Sequence, residues 1–197
     1  MSFPSARFTA ALATFDAANA EDPNQETDAE GQSWPKELLY GHRMSACLAR
    51  VAPEAPEPVQ LAARCQHIRR WAIPRADFPL DRPGYHQWRN TLKKYHAEVA
   101  GQLLTEVGYD EATIGRVQAL LQKQQLTRDA DMQLLEDVIC LVFLEHYFLD
   151  FARQHPEEKI IVIVQKTWRK MTPQGHALAL QLPLPAEAQA LVAKALA

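Results

Sequence analysis

The sequence predicts an all-α protein, a single-domain helical bundle. Three observations point there: apolar residues recur at helical spacing in segment after segment, prolines and a well-placed glycine punctuate those segments, and runs suited to strands are almost absent. A chain of 197 residues is long enough to bury one sizeable core and short for two, so one domain over 1–197 is expected.

Phe8, Leu12 and Phe15 share one face, which predicts an amphipathic helix over about 4–19. An acidic stretch, 20–34, follows; it reads as a lid or a slack connection, and we favour the second. Pro35 is suited to the first turn of a helix that runs to about 51, where the Pro-rich stretch 52–58 breaks it. The next helix is expected over about 58–71, before a loop from 74 to 83.

In the segment 85–107, Trp88, Leu92, His96, Val99 and Leu103 fall in line, and Gly108 suits its end. Asp110 is placed to cap a helix bearing Ile114, Val117 and Leu121, and Asp129 or Ala130 to open a long central helix reaching about 154. The stretch 157–171 contains the β-branched run IIVIV, but Pro156, Glu157 and Glu158 make a good helix start, so a helix is expected. An irregular stretch, 172–184, precedes a last Ala/Leu-rich helix over 185–196, and a C-terminal helical extension is counted from 156 to 197. No internal repeat is present.

The apolar run 134–151 has the length of a membrane span but carries Glu136, Asp137, Glu145, His146 and Asp150, so it reads as a buried helix and no membrane partner is expected. The N-terminus lacks a signal-peptide pattern, and three cysteines without C-x-x-C spacing read as reduced core thiols; both place the chain in the cytoplasm. Phe8 to Pro35 holds six acids and no Lys or Arg, whereas 67–94 carries a net charge of +5. A local positive field in an acidic protein suits a small anionic substrate or ligand better than a broad nucleic-acid surface, and no sequence-specific nucleic-acid module is present.

Three histidines, His42, His67 and His96, fall in three different expected helices, and Asp137 or its neighbour Glu136 is the acid that converging imidazoles would need for a divalent metal. Arg69, Arg70, Arg75, Tyr85, Trp88, Arg89 and Lys94 could hold an anionic substrate, since arginine forks grip phosphate and aromatic rings stack on a base. The bland reading of the same residues is a Trp/Arg-stapled loop that packs the fold. A second basic cluster, Lys166, Arg169 and Lys170, surrounds Trp168. A P-loop and a serine nucleophile elbow are both missing, which excludes those chemistries.

The stretches QLAARCQHIRRW, HAEVAGQLLTEVGYDEATIGRVQALLQK and LLEDVICL, in that order over about 38–142, resemble segments of the HD-type metal-dependent phosphohydrolases. That resemblance implies an HD-domain-like core over about 35–152, with His42, His67 and Asp137 as metal ligands, and His96 and Glu136 as catalytic groups. It departs from the pattern at Ile68, where the defining aspartate belongs, and at Lys123, where some branches carry histidine. The function implied is metal-dependent hydrolysis of a small phosphorylated metabolite or nucleotide; the alternative is a non-catalytic helical module that binds an anionic ligand or a protein partner. Over the whole length, WPKELLYGHRMS, QHIRRW, GYHQWR and LEDVICLVFLEHYF resemble a family catalogued only as a domain of unknown function, numbered four-two-zero-two, which implies no activity.

Overall fold

In the computed structural model, residues 5–124 and 128–197 are described. They are all-α, as predicted: ten α-helices and one two-stranded ribbon. The chain forms two compact units, Met1–Gln125 and Leu126–Ala197, and the division falls inside the stretch 35–152. Among the described residues no helix is long and apolar enough to cross a membrane.

In the first unit, α1 (Ala6–Ala20) is capped by Ser5, whose hydroxyl accepts from Phe8 N; the expected start at residue 4 lies outside the described residues. The 20–34 stretch is not the slack connection favoured from sequence. Strands β1 (Gln25–Thr27) and β2 (Ser33–Pro35) pair antiparallel, with Glu26 opposite Trp34. Asp28 closes their turn by accepting from the amides of Glu30 and Gln32 and from Trp34 Nε1, and Gly31 supplies the positive φ of 83°. Asp22, buried at the foot of the ribbon, accepts from Glu37 N at 3.0 Å and so caps α2 (Lys36–Val51).

Helix α3 (Glu57–Arg64) starts on Pro56 and Pro58 and is shorter than expected. It ends seven residues before Trp71, and His67 therefore sits in a turn rather than in a helix interior. Arg69 holds the left-handed conformation, φ 47°, which L-residues adopt at a cost; its amide donates to the side-chain oxygen of the buried Asn19 on α1 at 3.0 Å. Single 3-10 turns, Arg70–Ala72 and Arg75–Asp77, lead to α4 (Arg82–Val107), capped by Asp81 and ended by Gly108 at φ 86°. Asp110 then caps α5 (Glu111–Leu121) as read from sequence. Helix α4 packs along α5, α3 lies against both α5 and α2, and α1 crosses α2, α3 and α4. Met44, Leu61, Ile68, Leu92, Leu104 and Leu120 fill this unit's core.

In the second unit, Asp129 caps α6 (Ala130–Val142). The expected single helix to 154 is interrupted: Phe143–Tyr147 is a π-helical turn, and α7 (Phe148–Arg153) follows. Helix α8 (Glu157–Trp168) confirms that IIVIV is helical, with Ile160 and Val164 buried one turn apart. The stretch expected to be irregular contains α9 (Pro173–Ala179), and α10 (Ala186–Leu196) completes the unit against α8.

Candidate functional site

The site of interest lies in the first unit and is built from four short pieces of chain. The first turn of α2 presents Glu37 and Tyr40, spaced three apart on one face. The turn after α3 presents His67, and the 3-10 turn that follows begins with Arg70. Helix α4 contributes Trp88 and Arg89, and His96 seven residues beyond Arg89 on the same face. Asn19 holds two of these pieces together: its amide nitrogen donates to the Glu37 carbonyl at 3.3 Å, while its oxygen accepts from Arg69 N.

His67 is the centre. Its ring stacks on Tyr40 with centroids 4.0 Å apart and planes 11° apart, and its Nδ1 lies 3.1 Å from Glu37 Oε2. The ring of His96 stands 6.0 Å away, tilted 34°. Arg70 completes the cluster, with Nε 3.8 Å from Glu37 Oε1 and its guanidinium 4.8 Å over the Trp88 ring. Trp88 is fixed in turn by a 2.9 Å bond from Nε1 to the Ile73 carbonyl.

Burial and charge set the protonation states. Burial raises Glu37 from 4.5 to about 7, because its side chain is only 8% exposed and a carboxylate there loses hydration. Burial pushes His67 well below the ordinary histidine range, and the charges of Arg70, Arg89, Lys123 and Lys36 act in the same direction. His96 falls from 6.5 to about 3, mainly through burial and then through His67, although the Ile68 carbonyl opposes the shift. Both rings are therefore neutral, in a field made positive by arginine and lysine.

Sequence reasoning named His67, Arg70, Trp88, Arg89 and His96, and the fold gathers them. It missed Glu37, Tyr40 and Asn19. The i, i+3 spacing of an acid and a tyrosine at a helix start was the available signal for the first two; Asn19 carried none.

Most other expected site residues have partners of their own. His42 faces Asp16 and Arg64, with its Nε2 3.0 Å from Arg64 Nη2, beside a bidentate Arg64–Asp16 pair at 2.6 Å. Arg69 reaches Glu21, and Lys94 is exposed. Arg75 binds the carbonyls of Phe78 and Pro79 and so staples its own loop, which is the bland reading for that residue. Tyr85 is 43% exposed, its ring centroid 5.9 Å from that of Trp88.

In the second unit, Glu136 is buried with Lys170 Nζ 3.4 Å away. Asp137 accepts from Thr172 N at 2.8 Å and from the Thr172 hydroxyl, and Gly175 leaves room for its carboxyl group. In the same unit, Trp168 and His176 stack 4.3 Å apart, and His176 donates to the Trp168 carbonyl.

Within each unit the expected metal ligands are engaged with protein partners. Among the described residues no group of three or more His, Cys, Asp or Glu side chains is arranged to hold one. The nitrogen His42 would offer is engaged with a guanidinium, and Ile68, where the expected carboxylate belongs, is fully buried in the core. The arginines and lysines around His67 would repel a second cation.

Fold and site together define an all-α protein with a partly buried Glu–His–Arg cluster. A family described as a domain of unknown function (DUF4202) matches residues 9–192, and the chain belongs to that family. No curated protein and no solved structure matches it.

Proposed function

We propose that the protein binds a small phosphorylated metabolite or nucleotide at the cluster around His67 and Arg70. One observation carries this reading: a half-buried Arg70, held between Glu37 and Trp88, acts on His67 together with Arg89, Lys123 and Lys36. A positive field screened by little water attracts an anion, and a planar guanidinium recognises phosphate by paired hydrogen bonds. The net positive charge of 67–94 in an otherwise acidic chain supports the same ligand class.

Isothermal titration of the purified protein with inorganic phosphate tests the reading. Binding is expected, weakening with added salt and by about tenfold or more in Arg70→Gln, which corresponds to ~1.4 kcal/mol or more. Phosphate affinity unchanged by Arg70→Gln, or no binding at all, overturns it.

The contact between Glu37 and His67 favours a second reading, metal-independent phosphate-ester hydrolysis. With Glu37 ionised and accepting from Nδ1, His67 Nε2 carries a lone pair that can take a proton from water as its oxygen attacks phosphorus. The P–O ester bond then breaks, and the departing alkoxide takes up that proton. Release of phosphate from p-nitrophenyl phosphate in the presence of a chelator, lost in His67→Gln while phosphate binding is retained, supports catalysis; binding without turnover leaves the non-catalytic module.

A further inference from the structure

His96 Nε2 is a buried acceptor with no hydrogen-bond partner among the described residues. The residue is 4% exposed, so water does not solvate it from outside. Its other nitrogen, Nδ1, lies 2.8 Å from the Ile68 carbonyl, which can only accept; the ring proton is therefore on Nδ1 and the lone pair on Nε2. A neutral ring is also what burial and the neighbouring charges impose. Buried polar atoms are nearly always paired, so an orphan beside a candidate binding site asks for a donor from a ligand.

The orphan lies beside the anion site described above, since the His96 ring is 6.0 Å from His67 and the charge of Arg70 reaches it. The dianionic phosphoryl group of an ester satisfies Arg70 but brings only acceptors, and acceptors cannot pair with a lone pair. A ligand that satisfies both groups carries phosphate at one end and an O–H nearby. We propose that the ligand is a hydroxyl-bearing phosphate ester, of the polyol or sugar phosphate class, whose hydroxyl donates to His96 Nε2. This rests on the anion-binding reading and adds to it a specificity-determining residue. A site built to bond a hydroxyl rejects the analogue that lacks it, because the buried acceptor is then left unpaired.

Glycerol 3-phosphate and n-propyl phosphate, matched in size and differing in hydroxyls, test the proposal by titration calorimetry, with inorganic phosphate as a third probe. Wild-type protein is expected to bind glycerol 3-phosphate about tenfold or more tightly than propyl phosphate. His96→Asn keeps an N–H for the Ile68 carbonyl and removes the acceptor at the Nε2 position; the preference for glycerol 3-phosphate over propyl phosphate should shrink to about twofold or less.

Should that variant not fold, the ¹⁵N resonance of His96 Nε2 in the wild type gives the same answer: it moves with glycerol 3-phosphate and stays with propyl phosphate. Equal affinity of the two esters for wild-type protein, or a static Nε2 resonance, overturns the proposal and leaves the anion site standing. If none of the three probes binds, the anion reading itself has failed.

Discussion

Nδ1 of His67 and Oε2 of Glu37 lie 3.1 Å apart, joining the turn after α3 to the first turn of α2. Burial raises Glu37 to about 7 and holds His67 well below its ordinary value, so the carboxyl titrates near neutrality while the ring stays neutral. Below about 7 the carboxyl keeps its proton and donates to Nδ1, which puts the ring proton on Nε2. Above that value the carboxylate accepts from Nδ1 and leaves a lone pair on Nε2. One titration thus turns the same ring atom from a donor into an acceptor.

Glu37→Gln should change how stability depends on pH. In the folded protein Glu37 keeps its proton up to about 7, but in the unfolded chain it releases it near 4.5, so between these values the folded state binds more protons. The contribution of Glu37 to stability therefore falls as pH rises through that window. Replacing it with glutamine removes this loss. The difference in stability between variant and wild type, from urea melts at about pH 4.5 and pH 8, should shift in favour of the variant by on the order of a few kcal/mol. Parallel curves would mean that Glu37 ionises normally.

The same titration predicts an anion effect. Below about pH 7 the pair has lost a negative charge and gained an N–H donor at Nε2, so an anion of fixed charge should bind more tightly there. Sulfate does not titrate in this range and is the suitable probe. Its affinity should rise as pH falls from 8 to 6 in wild-type protein and stay flat in Glu37→Gln. A flat wild-type profile would detach Glu37 from the anion site.

Much of this fold was legible because local rules placed its ends. Asp110 and Asp129 cap their helices, Gly108 ends α4, and the proline-flanked starts of α3 and α8 fall where sequence put them. The failures share a cause. Helix α3 stops at Arg64 without a glycine or proline, and the left-handed Arg69 in the turn that follows is held by Asn19, fifty residues away in sequence. The ribbon at 25–35 depends on an Asp28 carboxylate satisfying three donors at once, and Glu37 becomes a site residue only because the turn after α3 delivers His67 to it. Periodicity reports which face is buried but not which distant groups meet there.

Asp137 illustrates the same limit, because its place on an apolar helix invites a functional role that its contacts do not require. Its carboxyl group receives both the amide and the hydroxyl of Thr172 and thereby anchors the start of α9. Asp137→Ala leaves those part-buried donors without their acceptor and should destabilise the protein by about 1–3 kcal/mol in urea melts. Asp137→Asn retains an acceptor and should lose less. In both variants, phosphate affinity per folded molecule should match the wild type. A selective loss of binding in Asp137→Asn, without loss of stability, would give this residue a role in ligand binding.

His96 makes the acid side of the stability profile a test of its burial. The unfolded chain protonates this histidine below about 6.5, whereas the folded protein does so only near 3, so between these values the unfolded state binds more protons and stability falls as pH falls. Glu37 acts with the opposite sign over 4.5 to 7, and His67 with the same sign as His96, but both remain in His96→Asn and cancel in the comparison. Asparagine cannot take up a proton, and it preserves the bond to the Ile68 carbonyl. Between pH 6.5 and pH 4, wild-type protein should therefore lose more stability than His96→Asn, by on the order of a few kcal/mol. Urea midpoints measured across that range read the difference directly. If both proteins lose stability at the same rate, His96 takes up its proton without penalty, and its Nε2 is open to water rather than held for a ligand.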